Sequence, residues 1–299
     1  MCFRLVCSGA VVRQPVSRER WPAGVSGAGD KGKSVKMNLV KDFYEQDLHG
    51  EWERLERHRT EFGVTLRALA EFLPSPPAQV LDVGGGPGRY AIALAQQGYQ
   101  VTLVDLSETS LVKAAEQAAA AEVHLAAIQQ GNAVDLAAFG DATYDAVLLL
   151  GPLYHLTTLD DRARAVAETC RVLKPGGILF AGFLTRFSAL RVCAKRFPEW
   201  LVAHPEYVEQ LLTTGVHQGE WGFTMAYHAH PAEIEPFMTA CGFTPLQLLA
   251  CEGVVAHAEE RINTLSGAAW EWWADLNYRL GKDPALYGSA VHLLYIGQK

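Results

Sequence analysis

The sequence predicts an α/β fold built on a doubly wound, mostly parallel sheet, and three observations support this prediction. Short apolar runs, typical of strands covered on both faces, occur at residues 79–83 and 144–150. Stretches with helical periodicity lie between them. A glycine-rich turn at residues 84–88 joins the first strand to the first of these helices. A strand, such a turn and a helix together are typical of a nucleotide-binding βαβ unit.

The spacing of the glycines in this turn separates two classes of cofactor. Gly84, Gly86 and Gly88 stand at alternate positions, where a tight turn lets a ligand lie against bare backbone. A dinucleotide fingerprint would need its third glycine at position 89, which Arg89 occupies. The turn also follows an acid within the strand, Asp82. This spacing argues against a pyrophosphate site and against hydride transfer from a dinucleotide.

The ends of the next two predicted strands carry polar groups that suit a nucleoside. The strand at 100–105 ends in Asp105, 23 residues after Asp82, and an ionised acid can accept hydrogen bonds from both ribose hydroxyls. The segment 123–130 is followed by a second polar side chain, that of Asn132.

The later part of the chain continues the alternation of strands and helices. The apolar strand at 144–150 opens into a loop that begins at Gly151. A predicted helix at 159–173 is followed by Lys-Pro-Gly-Gly at 174–177, which we expect to close the helix and reverse the chain. The apolar run at 178–183 is the next strand.

These segments, in this order from about residue 40 to the C-terminus, resemble the class I S-adenosylmethionine (SAM) dependent methyltransferases. The resemblance implies a Rossmann-like, doubly wound, seven-stranded, mostly parallel sheet with helical lid insertions. It also implies SAM as cofactor and S-adenosylhomocysteine as product, with the glycine turn against the amino acid end of SAM. Asn132 stands where the family commonly has Asp. The cofactor-binding residues implied are Asp82, Gly84, Gly86, Gly88, Asp105, Leu106, Asn132, Ala133 and Gly151.

His155 is the first candidate for a catalytic residue. It follows the fourth strand, at the carboxyl edge where open α/β sheets bind ligands, and it stands beside Tyr154. A base is needed only if the nucleophile must lose a proton, and it then contributes about 100- to 10,000-fold. We expect His155 to act as this base and Tyr154 to shape the methyl channel. The alternative is that His155 packs under a lid or orients SAM.

Two segments outside the cofactor pattern are expected to cover the acceptor. One is an amphipathic N-terminal helix at 40–73, and the other is an aromatic-rich insertion at 186–230. The substrate-binding residues expected in the insertion are His217, Trp221, Phe223, Tyr227 and His228. We expect the last four of these to border one enclosed cavity together with His155.

The histidines of the insertion also raise the hypothesis of a metal site. His228 and His230 would share one face of a strand, and His217 is close in sequence. No acid or thiol stands at ligand spacing beside them, so no metal site is expected.

The first 36 residues differ in charge from the rest of the chain. They carry seven basic and two acidic residues, whereas the whole chain has a formal net charge of −7, so residues 37–299 carry −12. The segment could be a disordered tail, a cleaved targeting sequence or the result of a start codon assigned too far upstream. Arg4 interrupts what would be a signal peptide's apolar core, which argues against secretion. The misassigned start codon is favoured, with the methyltransferase domain at 37–299.

Composition limits the expected partners. A body of net charge −12 is unlike the basic face of an enzyme that tracks nucleic acid. No apolar run reaches the roughly 18 to 20 residues of a membrane span. Six cysteines without a Cys-x-x-Cys pair favour a reducing compartment, so we expect a cytoplasmic protein. We further expect a small-molecule substrate, no nucleic-acid or membrane partner, and a monomer or homodimer.

Three functional hypotheses remain open at this point. The favoured one is a methyltransferase that acts on a small organic acceptor by in-line displacement. The second is a methyltransferase acting on a protein or RNA, which would need an open, basic cleft. The third is a protein that binds SAM without transferring its methyl group, which a blocked methyl channel would mark.

Overall fold

The computed structural model describes residues 40–45, 52–54, 58–219 and 223–299. Within these ranges nine strands form one sheet. Their bounds are β1 Gln79–Val83, β2 Gln100–Asp105, β3 Ala127–Gln130, β4 Tyr144–Leu149, β5 Leu173–Thr185, β6 Val216–His217, β7 Ala226–Ala229, β8 Thr244–Ala250 and β9 His292–Gln298. Seven of them run in the order β3-β2-β1-β4-β5-β9-β8, in which β9 alone is antiparallel to its neighbours. This order confirms the predicted doubly wound, mostly parallel sheet.

Helices cover both faces of this sheet. The α-helices are α1 Arg59–Phe72, α2 Arg89–Ala95, α3 Glu108–Ala120, α4 Pro152–His155, α5 Leu159–Val172, α6 Arg186–Arg196, α7 Pro198–Ala203, α8 Pro205–Thr214, α9 Pro231–Ala240, α10 Glu259–Ile262 and α11 Gly267–Gly281. Residues 40–45 and 52–54 are also helical. Two short 3-10 turns, Gly253–Val255 and Pro284–Ser289, complete the set.

Alternate residues of the central strands face the two halves of the core. In β1, Leu81 and Val83 pack in a cluster with α5 and α9, whereas Val80 packs in a second cluster with α1, α2, α3 and α11. These strand residues are at most 1% exposed. Because both faces of the sheet are covered, the central strands are largely apolar, and most polar side chains are left to the strand ends.

The sheet has two strands more than the seven predicted, and both lie in the insertion at 186–230. β6 and β7 pair with each other as antiparallel strands. β7 then runs parallel to the last residues of β5, with Leu184 opposite His228 and Thr185 opposite Ala229. Part of the insertion therefore extends the sheet at its carboxyl edge, rather than forming a purely helical lid.

The helix expected at 40–73 is interrupted in the structure. Instead of one helix over 40–73, the chain leaves the helical conformation at His58, with φ −110° and ψ 53°, and α1 begins at Arg59. Residues 51–62 contain no Gly or Pro, so periodicity gives no signal of this break. Near the C-terminus, α10 ends at Ile262 and α11 begins at Gly267, whose φ of +54° is typical of glycine.

The Lys-Pro-Gly-Gly stretch at 174–177 lies within β5, instead of separating the helix from the strand. α5 ends at Val172, and Leu173 already pairs with Tyr144 of β4. Gly176 has a φ of +77°, and its N–H donates to the carbonyl of Lys299. β5 therefore pairs with β4 both before and after this stretch, and the register shifts between the two pairings.

No helix among the described residues is both long and apolar enough to cross a membrane.

Candidate active site

The turn after β1 packs directly on the chain after β4. Gly84, Gly86 and Gly88 all have positive φ, at 69°, 54° and 85°. A Cβ added at Gly84 would lie 2.5 Å from Cγ of Pro152, too close for any side chain. The Gly84 N–H also donates to the Val104 carbonyl over 2.7 Å. The glycine turn is therefore a fixed cradle of bare backbone between the ends of β1, β2 and β4.

Asp105 lies at the end of β2, beside this turn. One oxygen of its carboxylate accepts the Gly86 N–H over 2.8 Å, and the other accepts the Ser107 N–H over 2.8 Å. Ser107 in turn caps α3, since its side chain accepts the Ser110 N–H. These bonds fix the orientation of a half-buried carboxylate.

Asp82 lies beneath the turn and is only 1% exposed. Its Oδ2 has no hydrogen-bond partner within the described part of the chain, and it would lie 2.6 Å from a Cβ at Gly85. Burial, together with the charge of Asp105, raises the pKa of Asp82 to about 7. Because Asp82 is buried against Gly85, it supports the backbone of the glycine turn more than it contacts a ligand directly.

The third strand end is tied to the second. The Gly131 N–H donates to the Asp105 carbonyl over 3.0 Å, and the side-chain amide of Gln130 donates to the carbonyl of half-buried Leu106 over 3.0 Å. The side-chain oxygen of Asn132 accepts the Val134 N–H over 3.2 Å. Ala133 beside it is 8% exposed. The structure thus brings the residues of the predicted cofactor set to one edge of the sheet.

His155 ends α4 and is surrounded by aromatic side chains. The ring centroids of Tyr44, Tyr154 and Phe223 lie 5.4, 4.6 and 5.6 Å from that of His155. Phe43 lies 5.3 Å from Tyr44 and 5.9 Å from Phe223. We call these five residues the aromatic cluster. The cluster combines residues from the N-terminal segment at 40–45, from α4 after β4, and from the insertion. The N-terminal segment and the insertion therefore meet over the carboxyl edge of the sheet.

The hydrogen bonds of His155 define its protonation. Nδ1 lies 3.3 Å from the Met225 carbonyl oxygen, which can only accept, so Nδ1 carries the proton. Burial lowers the pKa of His155 to about 4, so the ring is neutral near pH 7. Nε2 is then an acceptor, and the Tyr44 hydroxyl donates to it over 2.7 Å. His155 therefore presents a basic lone pair inside the aromatic cluster.

The other residues expected to bind substrate are divided among three places. Phe223 belongs to the aromatic cluster, whereas Trp221 lies outside the described residues. Tyr227 is on the opposite face of β7 from Ala226 and His228, because side chains alternate along a strand. Its ring lies 3.5 Å below the Arg162 guanidinium, and its hydroxyl donates to Glu233 over 2.8 Å. Tyr227 thus contacts α5 and α9, and its place beside the acceptor stays a prediction.

His217 and His228 lie one layer behind the aromatic cluster. They are 2% and 6% exposed, and their ring centroids are 6.5 Å apart. Nε2 of His217 lies 3.3 Å from the Phe223 carbonyl, which ties His217 to the backbone of a cluster residue. Nδ1 of His228 lies 3.3 Å from the Thr185 carbonyl, and burial lowers the pKa of His228 to about 4. Their direct partners are protein groups.

Four charged side chains at the same edge, which sequence reasoning missed, form what we call the ionic network: Arg54, Glu61, Glu252 and His292. Nδ1 of His292 bonds to Glu252 and lies 3.5 Å from Glu61. Arg54 donates to Glu61 over 2.7 Å. His292 begins β9 opposite Leu184 of β5, which puts the network at the carboxyl edge. No spacing motif links residues so far apart in sequence.

The network is charged throughout. Burial by itself would raise the pKa of Glu61, but Arg54 and His292 lower it to about 2. Burial by itself would lower the pKa of His292, but Glu61 and Glu252 raise it to about 9. Two carboxylates thus face one imidazolium and one guanidinium.

Three side chains of the ionic network also have the spacing of metal ligands. Within the described residues, ligand atoms of Glu61, Glu252 and His292 lie within 4.8 Å of one another. A cation would have to displace the proton of His292 and compete with Arg54. The donors are already paired, so the arrangement is that of an ion-pair network.

Comparisons with known proteins identify the family. A family model described as a methyltransferase domain matches residues 81–181, which include β1 to β4 and most of β5. The ubiquinone biosynthesis O-methyltransferase of Paracidovorax citrulli is 32% identical over 194 residues, covering 65% of this chain and 74% of the relative. A protein of the same name from Xylella fastidiosa is 35% identical over 160 residues, covering 52% of this chain and 58% of the relative. The match thus spans little more than half of that relative's length.

Solved structures share the fold. A SAM-dependent methyltransferase from Methanosarcina mazei superposes with a TM-score of 0.53 at 21% identity, covering 78% of this chain and 96% of that chain. The 1,6-didemethyltoxoflavin-N1-methyltransferase of Burkholderia thailandensis, solved with 1,6-didemethyltoxoflavin and S-adenosylhomocysteine bound, gives 0.56 at 16% identity and covers 93% of both chains. The chain belongs to the class I SAM-dependent methyltransferases.

The position of Asp105 gives a test of the cofactor edge. Asp105→Ala should weaken SAM binding at least tenfold, because hydrogen bonds to a charged group contribute roughly 1.5–3 kcal/mol. Isothermal titration calorimetry measures this affinity. Asp135→Ala, which changes an exposed acid that bonds to the Ala137 N–H, is the matched control and should leave it unchanged. An unaltered SAM affinity in folded Asp105→Ala protein would remove Asp105 from the site.

His292→Gln tests the ionic network. The substitution leaves two buried carboxylates with less compensating charge, so we expect the free energy of unfolding to fall by about 3–5 kcal/mol at pH 6.5. Urea denaturation measures it, with exposed His124→Gln as the matched control.

The pH dependence of this difference has a definite sign. Because folding raises the pKa of His292 from 6.5 to about 9, its contribution is fully present below pH 6.5 and is lost as the pH rises through 9. The gap in stability between wild type and His292→Gln should therefore narrow over that range. A gap that widens, or one below about 1 kcal/mol throughout, would contradict a charged network.

Proposed function

We propose that this protein transfers the methyl group of SAM to a hydroxyl oxygen of a small organic acceptor, with His155 accepting the hydroxyl proton. The observation that carries the proposal is the neutral His155 imidazole, whose Nε2 lone pair already accepts a hydroxyl hydrogen bond within the aromatic cluster. The names of the sequence relatives, which are O-methyltransferases of ubiquinone biosynthesis, support oxygen as the methylated atom.

The cofactor would be held by the residues at the ends of β1, β2 and β3. The glycine turn, which packs on Pro152 at Gly84 and has positive φ at Gly86 and Gly88, suits the close approach of the amino acid end of SAM. The oriented carboxylate of Asp105 suits two ribose hydroxyls. Asn132, whose side-chain oxygen accepts the Val134 N–H, would contact the adenine amino group through that oxygen.

His155 and its neighbours would then act on the acceptor. When bound, SAM would supply a methyl group on a sulfonium, and the electron pair of the broken C–S bond would remain on its sulfur. A lone pair of the acceptor oxygen forms the new C–O bond, and the hydroxyl proton passes to Nε2 of His155. The positive charge of the sulfonium would thus end on the imidazole of His155. Tyr154, whose hydroxyl lies 3.7 Å from a Cβ position at Gly151, borders the path between the cradle and His155.

The low basicity of His155 is compatible with this role. The hydroxyl proton becomes strongly acidic as the C–O bond forms, so a base with a pKa of about 4 can accept it late in the reaction. Enclosure by aromatic rings keeps the same imidazole neutral and keeps water from competing for the proton.

Substitution of His155 tests the proposal. We expect His155→Gln to lower kcat for hydroxylated aromatic acceptors by about 100- to 10,000-fold, with SAM affinity unchanged. Product formation from labelled SAM and calorimetric SAM binding measure the two effects. His124→Gln, at an exposed position, is the control.

Two outcomes would contradict the proposal. Activity of His155→Gln within about threefold of wild type would exclude His155 as the base. SAM binding without turnover of any acceptor in a panel of phenols, alcohols and amines would favour a protein that binds SAM without transferring its methyl group.

The pH profile gives a second test. Since the base must be neutral and burial lowers its pKa to about 4, kcat should be constant between pH 6 and 8 and should fall only as the pH approaches 4. Circular dichroism at each pH separates this fall from unfolding. An inflection near pH 6.5, the ordinary value for histidine, would show a solvated imidazole.

A further inference from the structure

Tyr44 occupies the lone pair on which the proposed reaction depends. Its hydroxyl lies 2.7 Å from Nε2 of His155, although the two residues are 111 positions apart in the chain. Nδ1 of His155 already carries the proton donated to the Met225 carbonyl, so Tyr44 is the donor in this bond. The contact joins the N-terminal segment at 40–45 to the end of β4.

The lone pair of Nε2 accepts one hydrogen bond at a time. An imidazole nitrogen has a single lone pair in the ring plane, unlike a carbonyl oxygen, which has two. An acceptor hydroxyl that donates to Nε2 must therefore replace the hydroxyl of Tyr44. The two hydroxyls compete for the same position beside His155.

The chemistry of Tyr44 indicates what replaces it. The Tyr44 side chain is a phenol, and its ring meets His155 edge to face at 5.4 Å and Phe43 at 5.3 Å. Phe223 and Tyr154 complete the aromatic lining. A planar ring with a hydroxyl would meet the same edges and faces and would satisfy the same nitrogen. An aliphatic alcohol would satisfy the nitrogen but would lose the ring contacts.

We propose that Tyr44 holds the place of the acceptor, and that the acceptor is a phenol whose hydroxyl displaces that of Tyr44 from Nε2 of His155. This inference rests on the proposed function and adds the class of acceptor. It also makes Tyr44 a residue that determines how tightly phenols bind. Removal of its hydroxyl should therefore favour binding.

The direct test compares wild type with Tyr44→Phe, using p-cresol and toluene as probes. p-Cresol is the tyrosine side chain as a free molecule, and toluene lacks only its hydroxyl. Each probe is titrated into the full chain with S-adenosylhomocysteine present, while the ¹⁵N resonances of the His155 imidazole are followed. Tyr99→Phe is the matched control, because the Tyr99 hydroxyl bonds to the Pro74 carbonyl, away from the site.

We expect Tyr44→Phe to bind p-cresol about three- to tenfold more tightly than wild type, since it no longer makes a competing hydrogen bond. Toluene should bind both proteins equally, and p-cresol should shift Nε2 of His155 in Tyr44→Phe, where no phenol occupies Nε2 beforehand. Unchanged p-cresol affinity, an equal gain for toluene, or binding to Tyr44→Phe that leaves Nε2 unshifted would each overturn the inference. Tyr44→Phe that lowers kcat at unchanged affinity would also overturn it, because Tyr44 would then take part in the reaction.

The titration needs no methyl transfer, so it separates this inference from the proposed function. Tighter p-cresol binding with no methylated product from any hydroxylated acceptor would defeat the proposed function and leave phenol recognition standing. Methylation of alcohols or amines, with unchanged p-cresol affinity in Tyr44→Phe, would contradict the inference that the acceptor is a phenol and would still support methyl transfer. A melting temperature equal to that of wild type shows that Tyr44→Phe is folded.

Discussion

The contact between Gly84 and Pro152 is the constraint on which the rest of the site depends. A side chain at Gly84 would collide with the proline ring at 2.5 Å, so the turn after β1 and the chain after β4 meet at backbone distance. The turn is the cofactor cradle of the proposed function, and Pro152 begins the single helical turn that ends at His155. One contact therefore sets both the shape of the cradle and the position of the basic imidazole, and separating them would need a change in two loops together.

Two histidines at the carboxyl edge have opposite charge states, and the difference comes from their neighbours. Burial acts on both and opposes the imidazolium. His155 is enclosed by aromatic rings, so burial prevails and the ring is neutral. His292 lies between Glu61 and Glu252, so the carboxylates prevail and the ring is charged. The neutral ring of His155 can accept a proton. The charged ring of His292 joins the start of β9 to α1 and, through Arg54, to the helical residues 52–54.

The sequence predicted what is encoded locally and missed what is assembled from distant segments. β1 and β2 and the glycine turn follow from apolar runs and glycine spacing, and the structure has β1 at the predicted bounds. The segment at 40–73 was expected to cover the acceptor, but nothing in it singled out Tyr44, because its partner lies 111 residues away. Glu252 and His292 likewise belong to no spacing motif. Sequence proximity groups Tyr227 with His228, whereas alternation along β7 puts their side chains on opposite faces of the strand.

The depressed basicity of His155 fits a displacement reaction better than a stepwise one. A base strong enough to deprotonate a phenol before the methyl group moves would itself be protonated near pH 7, and it would place a positive charge near the sulfonium. In the proposed function, an imidazole with a pKa of about 4 would stay neutral and would take the proton only when the forming C–O bond makes it acidic. The aromatic cluster that buries His155 would then both delay the proton transfer and align the acceptor oxygen with the methyl group.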